Sequence, residues 1–320
     1  MKILLVLNKY IFRDSILRID LGYWIFKIPL VDLGHEVYFY DTVDPVEKDF
    51  GKIVESFKPD LIFCCMTGNE NMAPYEPWEE IEKETLSGRT KTFNWFCDDT
   101  WRFENFTKKV CNKFTVCSTP EPKYVQKYKD IGYSNVIVGP WHSNIDFHPI
   151  ALQKDLDVSF CGVPNEDRVQ YSKLLLNNGI SFHYHYGVTH EDMLYSYSRS
   201  KIGLNFSKNL NAADKQLQLL RAPGAFTRRD KAQMKARMFE VPASKTLLLT
   251  EYTENLEDFF EIDKEIICFD NPSELLAKSK YLLEHPNIMN KITERGHQRF
   301  LKEHESHVRL KKVLQEIKSK

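Results

Sequence analysis

The stretch that decides the fold reads KARMFEVPA from Lys235 to Ala243 and TLLLTEYTENL from Thr246 to Leu256. Its first part predicts a short helix that carries two cations and a carboxylate, and its second part begins as an apolar run typical of a buried strand. A polar loop follows that strand. Because open α/β sheets bind ligands at the carboxyl ends of their strands, the stretch predicts a nucleotide site.

Apolar runs and amphipathic segments alternate along nearly the whole chain, which indicates parallel sheets built from β-α-β units. The first half predicts strands at 2–7, 36–42, 61–67, 91–97, 113–118 and 135–139, and the second half at 157–161, 181–186, 201–206, 246–250 and 266–269. Helices are predicted at 19–33, 46–57, 76–87, 101–111, 121–131, 166–178, 190–199, 231–243, 272–284 and 286–303. We therefore expect an α/β protein with two Rossmann-like domains facing across a cleft.

The length of 320 residues also favours two domains, because single cores stop growing below this size. The pattern restarts after residue 149. We expect a first domain at residues 1–150 and a second at 151–305. The final segment, 306–320, predicts a basic helix that packs back on the first domain.

The composition is that of an ordinary globular protein. Its 44 basic and 45 acidic residues nearly cancel, so net charge gives no support to nucleic-acid binding. The opening run MKILLVL is too short for a signal peptide, and no run of about 18 apolar residues predicts a membrane span. We expect a cytoplasmic protein, with peripheral membrane contact left open.

Cysteine and histidine patterns do not predict a metal centre. The seven cysteines are scattered without a Cys-x-x-Cys pair, which is typical of free thiols in a reducing compartment. His183 and His185 alternate within a predicted strand, His190 follows, and no further ligand is spaced nearby. We expect neither a metal ion nor a cofactor.

Positive charge is concentrated between residues 199 and 237, where ten basic residues face two acidic ones and give a local charge of +8. Such focusing suits an anion-binding site, although a solvated lysine-rich loop explains residues 208–229 equally well. Lys235 and Arg237 are the stronger candidates, because they are predicted on the helix that carries Glu240.

Glu240 has two interpretations. Its carboxylate is suited to accept hydrogen bonds from the vicinal hydroxyls of a ribose, while Lys235 and Arg237 take the diphosphate of the same nucleotide. Alternatively, Arg237 and Glu240 form an i, i+3 salt bridge of a few tenths of a kcal/mol on the helix surface. Spacing leaves both open.

Gly162 and Arg168 form a second candidate element. Gly162 directly follows the predicted strand 157–161, where a glycine lets the backbone approach a phosphate at the next helix N-terminus. Turns after strands often need a glycine for other reasons. Arg168 lies in the first turn of that helix, where a cation opposes the helix dipole, so it hints at a bound anion.

Asp98 and Asp99 end the predicted strand 91–97 in the first domain. Either is a candidate to deprotonate or orient an acceptor hydroxyl at the interdomain cleft. The alternative is that Asp99 caps the following helix.

Six segments of the second domain form a recognisable set: DVSFCG at 157–162, YSRSKIGLNFS at 197–207, KARMFEVPA at 235–243, LLTE at 248–251, YLLEHP at 281–286 and RGHQR at 295–299. In these segments the chain resembles the CgeB-like (spore-maturation-type) glycosyltransferases of the GT-B superfamily. The resemblance covers nearly the whole second domain, whereas the first domain matches only in layout and in residues 95–99.

This resemblance implies a GT-B enzyme that transfers a sugar, with retention and without a metal ion, from a nucleoside-diphosphate sugar to a glycan, lipid-linked or protein hydroxyl. It implies that Glu240 holds the ribose and that Asn205, Glu251, Tyr252, Thr253 and Asn255 bind the nucleotide sugar. One departure is Ala232, where the commonest retaining families carry a second glutamate.

Two other functions remain open. The chain is compatible with a nucleotide- or sugar-binding partner subunit that has no turnover. It is also compatible with a sugar-nucleotide epimerase of the same architecture, which would change the sugar rather than release a nucleoside diphosphate.

Overall fold

The strands of the chain form two separate parallel sheets. The structure is a computed structural model, and it describes residues 1–11, 19–150, 152–208 and 232–320. Within these ranges the chain divides into two compact units. The first comprises Met1–Pro140 together with Arg309–Lys320, and the described part of the second lies within residues 141–308.

The first sheet has the strand order β2-β1-β3-β4-β5-β6, with every neighbouring pair parallel. Its strands are β1 (Lys2–Leu7), β2 (Glu36–Asp41), β3 (Leu61–Cys64), β4 (Lys91–Trp95), β5 (Val116–Thr119) and β6 (Val136–Val138). Strands β3 and β5 are buried from end to end and β1 at every residue after Lys2, as expected for a parallel sheet covered on both faces.

Helices of the first unit follow the strands in turn. They are α1 (Ile28–Asp32), α2 (Phe50–Phe57), α3 (Trp78–Ser87), α4 (Asp99–Arg102), α5 (Lys108–Val110) and α6 (Tyr124–Asp130). The predicted helices at 19–33 and 101–111 include π-helical segments at Tyr23–Lys27 and Phe103–Thr107. Local caps define the ends: Asp49 accepts a hydrogen bond from the Lys52 amide, and Gly88 ends α3 with a φ of 64°.

The second sheet has the strand order β11-β10-β9-β7-β8 and is also parallel. Its strands are β7 (Leu156–Cys161), β8 (Phe182–His185), β9 (Ser200–Asn205), β10 (Leu247–Glu251) and β11 (Ile267–Phe269). A core that includes Phe160, Leu204 and Leu249 lies between this sheet and its helices.

The described helices that follow are α7 (Glu166–Asn177), α8 (His190–Arg199), α9 (Arg237–Ala243), α10 (Pro272–Glu284), α11 (Pro286–Glu303) and α12 (Ser306–Ser319). Asn165 and Thr189 accept hydrogen bonds from the amides of Arg168 and Asp192 and so cap α7 and α8. At the end of α12, Lys91 donates from its Nζ to the carbonyls of Ile317 and Lys318, both at 3.0 Å.

The predicted fold class and all eleven strands are confirmed within two or three residues at each end. Two helix predictions begin too early: α9 begins at Arg237 rather than at residue 231, and α2 begins at Phe50 rather than at residue 46. All seven cysteines are free thiols. No helix in the described ranges is long and apolar enough to cross a membrane.

Candidate nucleotide site of the second unit

The predicted site residues meet at the carboxyl edge of the second sheet. β7, β9 and β10 are neighbours in that sheet, and they end at Cys161, Asn205 and Glu251. Because the three strands are parallel, the segments that follow them emerge side by side. This is the edge at which open α/β sheets bind ligands.

Two arginines lie over one aromatic ring at this edge. The guanidinium carbons of Arg168 and Arg237 are 5.0 and 5.1 Å from the ring centroid of Phe160. Arg168 is only 4% exposed, and burial, reinforced by the nearby charge of Arg237, lowers its pKa to about 10. The ring therefore holds two mutually repelling cations in a small volume.

The described surroundings do not neutralise these cations by contact. Arg168 donates from Nη1 to the Val163 carbonyl at 2.6 Å, and its buried Nε has no hydrogen-bond partner among the described residues. Arg237 donates from Nε to the amide Oδ1 of Asn205 at 3.4 Å. Glu251 acts on Arg168 only through space. A buried and a half-buried guanidinium that no carboxylate contacts among the described residues are strong candidates for binding an anion with several oxygens, such as a diphosphate.

Asn205 has a positioning role. It is fully buried, and its Nδ2 donates to Thr250 Oγ1 at 2.9 Å and to Ser207 Oγ at 3.2 Å. These bonds fix the amide so that Oδ1 faces Arg237. Asn205 therefore orients Arg237, and its burial argues against the direct ligand contact that the resemblance implies.

Glu240 lies on α9, one turn after Arg237, and is 2% exposed. Burial raises the pKa of its carboxyl to about 7, although the charge of Arg237 opposes the shift. The i, i+3 salt bridge is not formed in the described structure, because the Arg237 guanidinium lies against Asn205 and Phe160. The geometry thus favours the other interpretation, in which the Glu240 carboxylate accepts hydrogen bonds from ribose hydroxyls.

Sequence reasoning considered His190 only as a metal ligand and missed its place beside Glu240. Its Nδ1 is 3.9 Å from Glu240 Oε1, and burial lowers the pKa of the imidazole to about 4. At neutral pH it is an uncharged neighbour. The available signal was positional: His190 begins α8, directly after the loop at the carboxyl end of β8.

Buried polar groups hold the C-terminal end of α9 in place. His148 bonds through Nδ1 to Ser244 Oγ at 2.8 Å, and His297 donates from Nδ1 to the Pro242 carbonyl at the same distance. Lys154 donates to the Ser244 carbonyl at 3.3 Å. These contacts fix the helix that presents Arg237 and Glu240.

The loop after β10 offers further polar atoms. Glu251 is 5% exposed and accepts a hydrogen bond from the Lys208 amide at 3.0 Å, so its carboxylate orders the neighbouring segment. Tyr252 is exposed and bonds to Glu257. Thr253 Oγ1 and Asn255 Oδ1 are buried atoms without a hydrogen-bond partner among the described residues. Asn255 adopts a φ of 67°, which brings the loop into a tight turn.

The structure changes the interpretation of Gly162. Its amide donates to the His185 carbonyl at 3.0 Å, so that group is not available to a phosphate. A Cβ at this position would lie 2.8 Å from Phe160 Cζ and 3.4 Å from Arg237 Nη1. A glycine is therefore required at position 162 because a larger residue would collide with Phe160 and crowd Arg237.

Lys235 was predicted on the helix that carries Glu240, but it lies outside the observed helix, since α9 begins two residues later. It is half-buried, and its Nζ donates to the Lys208 carbonyl at 3.3 Å. Half of the ten basic residues at 199–237 lie outside the described residues, namely Lys215, Arg221, Arg228, Arg229 and Lys231.

Asp99 belongs to the core of the first unit. It is fully buried, accepts hydrogen bonds from Tyr128 Oη at 2.9 Å and Thr107 Oγ1 at 2.8 Å, and burial raises its pKa to about 6. Because both carboxylate oxygens are engaged inside the unit, these contacts favour a structural role over the predicted catalytic one. The capping alternative for Asp99 is also wrong, since Asp98 occupies the N-cap position of α4. Asp98 stays a prediction.

A family model described as "Glycosyl transferase-like" matches residues 146–315, just over half of the chain. The chain belongs to this family of glycosyltransferases. No curated protein matches it significantly. The matched region contains Arg168, Arg237 and Glu240.

Solved structures show the fold over the whole chain. A glycosyltransferase from Rickettsia africae has a TM-score of 0.60 at 12% identity, covering 99% of this chain and 98% of its own. HepE of Anabaena in complex with UDP has a TM-score of 0.59 at 11% identity, with 100% of both chains covered. Sucrose-phosphate synthase of Thermosynechococcus elongatus has a TM-score of 0.63 at 9% identity, also over 100% of both chains. The fold is GT-B.

Proposed function

We propose that the enzyme transfers a hexose from a nucleoside-diphosphate sugar to a hydroxyl of a glycan, lipid-linked or protein acceptor. The observation that carries this proposal is the pair Arg168 and Arg237 on the Phe160 ring, with the buried Glu240 one helical turn after Arg237. UDP is the nucleotide to test first, since it is bound in the HepE structure and a similar glucosyltransferase structure contains UDP-glucose.

In this proposal the guanidiniums hold the diphosphate and stabilise the charge that develops on it as the sugar departs. Glu240 accepts hydrogen bonds from the two ribose hydroxyls, and Asn205 keeps Arg237 in position. Lys235 and the loop at Glu251, Tyr252, Thr253 and Asn255 supply further contacts. The transfer proceeds with retention. It needs no metal ion, because the protein's own cations stabilise the negative charge of the leaving diphosphate.

Substitution of Arg237 and Glu240 tests the proposal. Arg237→Ala and Glu240→Ala are each expected to weaken UDP binding by about tenfold to a hundredfold, since a hydrogen bond to a charged group is worth about 1.5–3 kcal/mol. Isothermal titration calorimetry measures the affinities. Matched controls in the same unit are Arg199→Ala, which breaks a partly exposed ion pair with Asp155, and Glu294→Ala, which breaks one with Lys245.

Wild-type affinity for UDP in both site variants would overturn the proposal. Product analysis with UDP-glucose distinguishes a glycosyltransferase from a partner subunit and from an epimerase. A partner subunit would bind UDP but release none from UDP-glucose with any acceptor, whereas an epimerase would yield a changed sugar nucleotide without acceptor. Chelation by EDTA is expected to leave the transfer rate unchanged. The closer relation to the CgeB-like enzymes and the cytoplasmic location stay predictions.

A further inference from the structure

The helix that carries Glu240 is held less firmly by its own backbone than an ordinary helix. α9 spans only seven residues, Arg237–Ala243, and it contains Pro242. A proline has no amide hydrogen, so the Met238 carbonyl, four residues earlier, receives no helical hydrogen bond from it. The C-terminal half of α9 therefore depends on hydrogen bonds from other segments to keep its position.

One chain of hydrogen bonds ends on the peptide of Glu240 itself. The Glu240 carbonyl accepts from the Ser244 amide at 3.1 Å and from Ser244 Oγ at 3.0 Å. Ser244 Oγ is 2.8 Å from His148 Nδ1, and His148 Nε2 is 2.8 Å from Ser143 Oγ. Ser143, His148 and Ser244 are at most 6% exposed, so each lost hydrogen bond would leave a buried polar atom unpaired.

The hydrogens of this chain have one order in which every hydroxyl finds an acceptor. Burial lowers the pKa of His148, so its imidazole carries a single ring hydrogen at neutral pH. Because Ser244 donates its hydroxyl hydrogen to the Glu240 carbonyl, it accepts from His148 Nδ1. His148 Nε2 then accepts from the Ser143 hydroxyl. The reverse order would leave the Ser143 hydroxyl hydrogen without an acceptor among the described residues.

The far end of the chain lies on segments that connect the two units. Ser143 belongs to the segment by which the chain passes from the first unit to the second, and Ser306 begins α12, by which it returns. The Ser143 carbonyl accepts from the Ser306 amide at 2.9 Å. The hydrogen bonds therefore run from both of these segments, through His148, to the peptide of Glu240.

We propose that His148 is a positioning residue for the nucleotide site. It donates to Ser244, which fixes the peptide of Glu240, and it thereby holds the Glu240 carboxylate in place for the ribose hydroxyls. This role rests on the proposed function, in which Glu240 binds the ribose. It makes a residue outside the nucleotide site decide how strongly the enzyme distinguishes a ribonucleotide from a deoxyribonucleotide.

Two amide substitutions at position 148 test this role, because each keeps one of the two ring hydrogen bonds. Asparagine places its NH2 group near the position of Nδ1 and can still donate to Ser244, whereas glutamine places its amide near Nε2 and keeps only the contact with Ser143. Isothermal titration calorimetry with UDP and 2′-deoxy-UDP measures the discrimination. Wild-type protein is expected to bind 2′-deoxy-UDP about tenfold more weakly than UDP, because one hydrogen bond to the Glu240 carboxylate is lost.

His148→Asn is expected to keep this difference, whereas His148→Gln should reduce it to about twofold or less. A structural role alone would lower the stability of both variants and their affinity for both nucleotides, without separating the two ratios. Ser244→Ala removes the hydroxyl between His148 and Glu240, so it should also lose the difference. Ser279→Ala is the matched control, since Ser279 is a fully buried serine on α10 of the same unit.

Equal discrimination by the Asn and Gln variants, or a wild-type difference in Ser244→Ala, would overturn the role of His148. If His148→Gln does not fold, Ser244→Ala decides alone. Either result leaves the nucleotide site in place as long as wild-type protein prefers UDP. If wild-type protein binds both nucleotides alike, the ribose contact of Glu240 fails, and the positioning role fails with it. If UDP does not bind at all, the proposed function fails.

Discussion

Glu240 shows how a single residue combines a structural cost with a binding role. Its carboxyl is buried, and that burial raises its pKa to about 7. The charged groups and titratable groups around it are Arg237 on its own helix, and His190 and Tyr197 on α8. His190 has a pKa of about 4 and Tyr197 one raised above its usual range, so neither titrates near neutrality.

Donor affinity is therefore expected to depend on the protonation of Glu240. Below about pH 7 the carboxyl holds a proton that must leave when the ribose hydroxyls bind, so affinity for UDP-glucose should fall by up to tenfold per pH unit. Calorimetry across this range measures the slope. UDP-glucose is the right ligand because its diphosphate does not titrate there.

The matched variants are Glu240→Gln, which should bind weakly with little pH dependence, and Glu294→Gln, which should keep the wild-type slope. Because the pKa of Glu240 is raised from 4.5 to about 7 in the folded state, the free protein loses stability as the pH rises through this range, and the loss is complete above about pH 7. Glu240→Gln should therefore be at least as stable as wild type at alkaline pH. A flat wild-type profile would contradict the assigned role.

Asp99 illustrates why the role of a residue cannot be predicted from its position in the sequence alone. Its position after β4 made it a candidate catalytic residue. In the structure its side chain points into the core, where it accepts hydrogen bonds from Tyr128 and Thr107. Glu240 is the opposite case. Spacing left two interpretations equal, and the direction of the Arg237 side chain separates them. Side-chain direction depends on packing from distant segments, which local periodicity does not encode.

At the scale of elements, α9 depends on close contact with β9. A Cβ on Gly203 would lie 2.7 Å from Val241 Cγ1 and 2.8 Å from its Cγ2. The glycine in β9 thus lets α9 approach the sheet and sets the position of both Arg237 and Glu240. The sequence pattern does not reveal this close contact, because in it Gly203 is simply one residue of an apolar strand.

Gly203→Ala is accordingly expected to destabilise the protein by about 1–3 kcal/mol, as overpacking of a core does, and to weaken UDP binding as α9 is displaced. Val241→Ala opens space at the same contact, so the double variant should recover part of both losses. Urea unfolding and calorimetry measure the two effects.

Gly51→Ala in α2 is the control, because the nearest atom to its added Cβ is 3.4 Å away and alanine favours helices. If Gly203→Ala unfolds and binds UDP like wild type, the contact does not set the helix position.

Strand positions were predictable because apolar runs and their flanking turns are local features. The first residues of the helices were less predictable. The segment before Arg237 has helical composition, yet residues 232–235 are not helical in the structure. Helices with π-helical segments, such as Tyr23–Lys27, keep an apolar face that looks like ordinary α-helix in sequence.

At the scale of the whole molecule, the two units differ in their titratable cores. Of the ten histidines, only His35 lies in residues 1–140. Burial lowers the pKa values of His148, His190 and His297 in the second unit. In the first unit, burial raises that of Asp99 to about 6.

These shifts predict that mild acid destabilises the second unit first. A buried histidine with a lowered folded-state pKa contributes stability that is lost as pH falls below about 6.5, at up to 1.4 kcal/mol per pH unit. A carboxyl with a raised pKa has the opposite effect: Asp99 favours the folded first unit below about pH 6, whereas Glu240 offsets only one of the three histidines of the second unit.

Hydrogen exchange with mass spectrometry near neutrality and near pH 5, corrected for intrinsic rates, measures the effect in each unit. Protection should fall in β7, β9 and β10 while β1, β3 and β4 keep theirs. Earlier loss in the first unit would contradict the prediction.

The most direct test of the proposed nucleotide site is a crystal structure of the chain with UDP. We expect the diphosphate within hydrogen-bond distance of Arg168 and Arg237, and both ribose hydroxyls at the carboxylate of Glu240. A UDP molecule bound elsewhere, or bound at this edge without contact to either arginine, would contradict it.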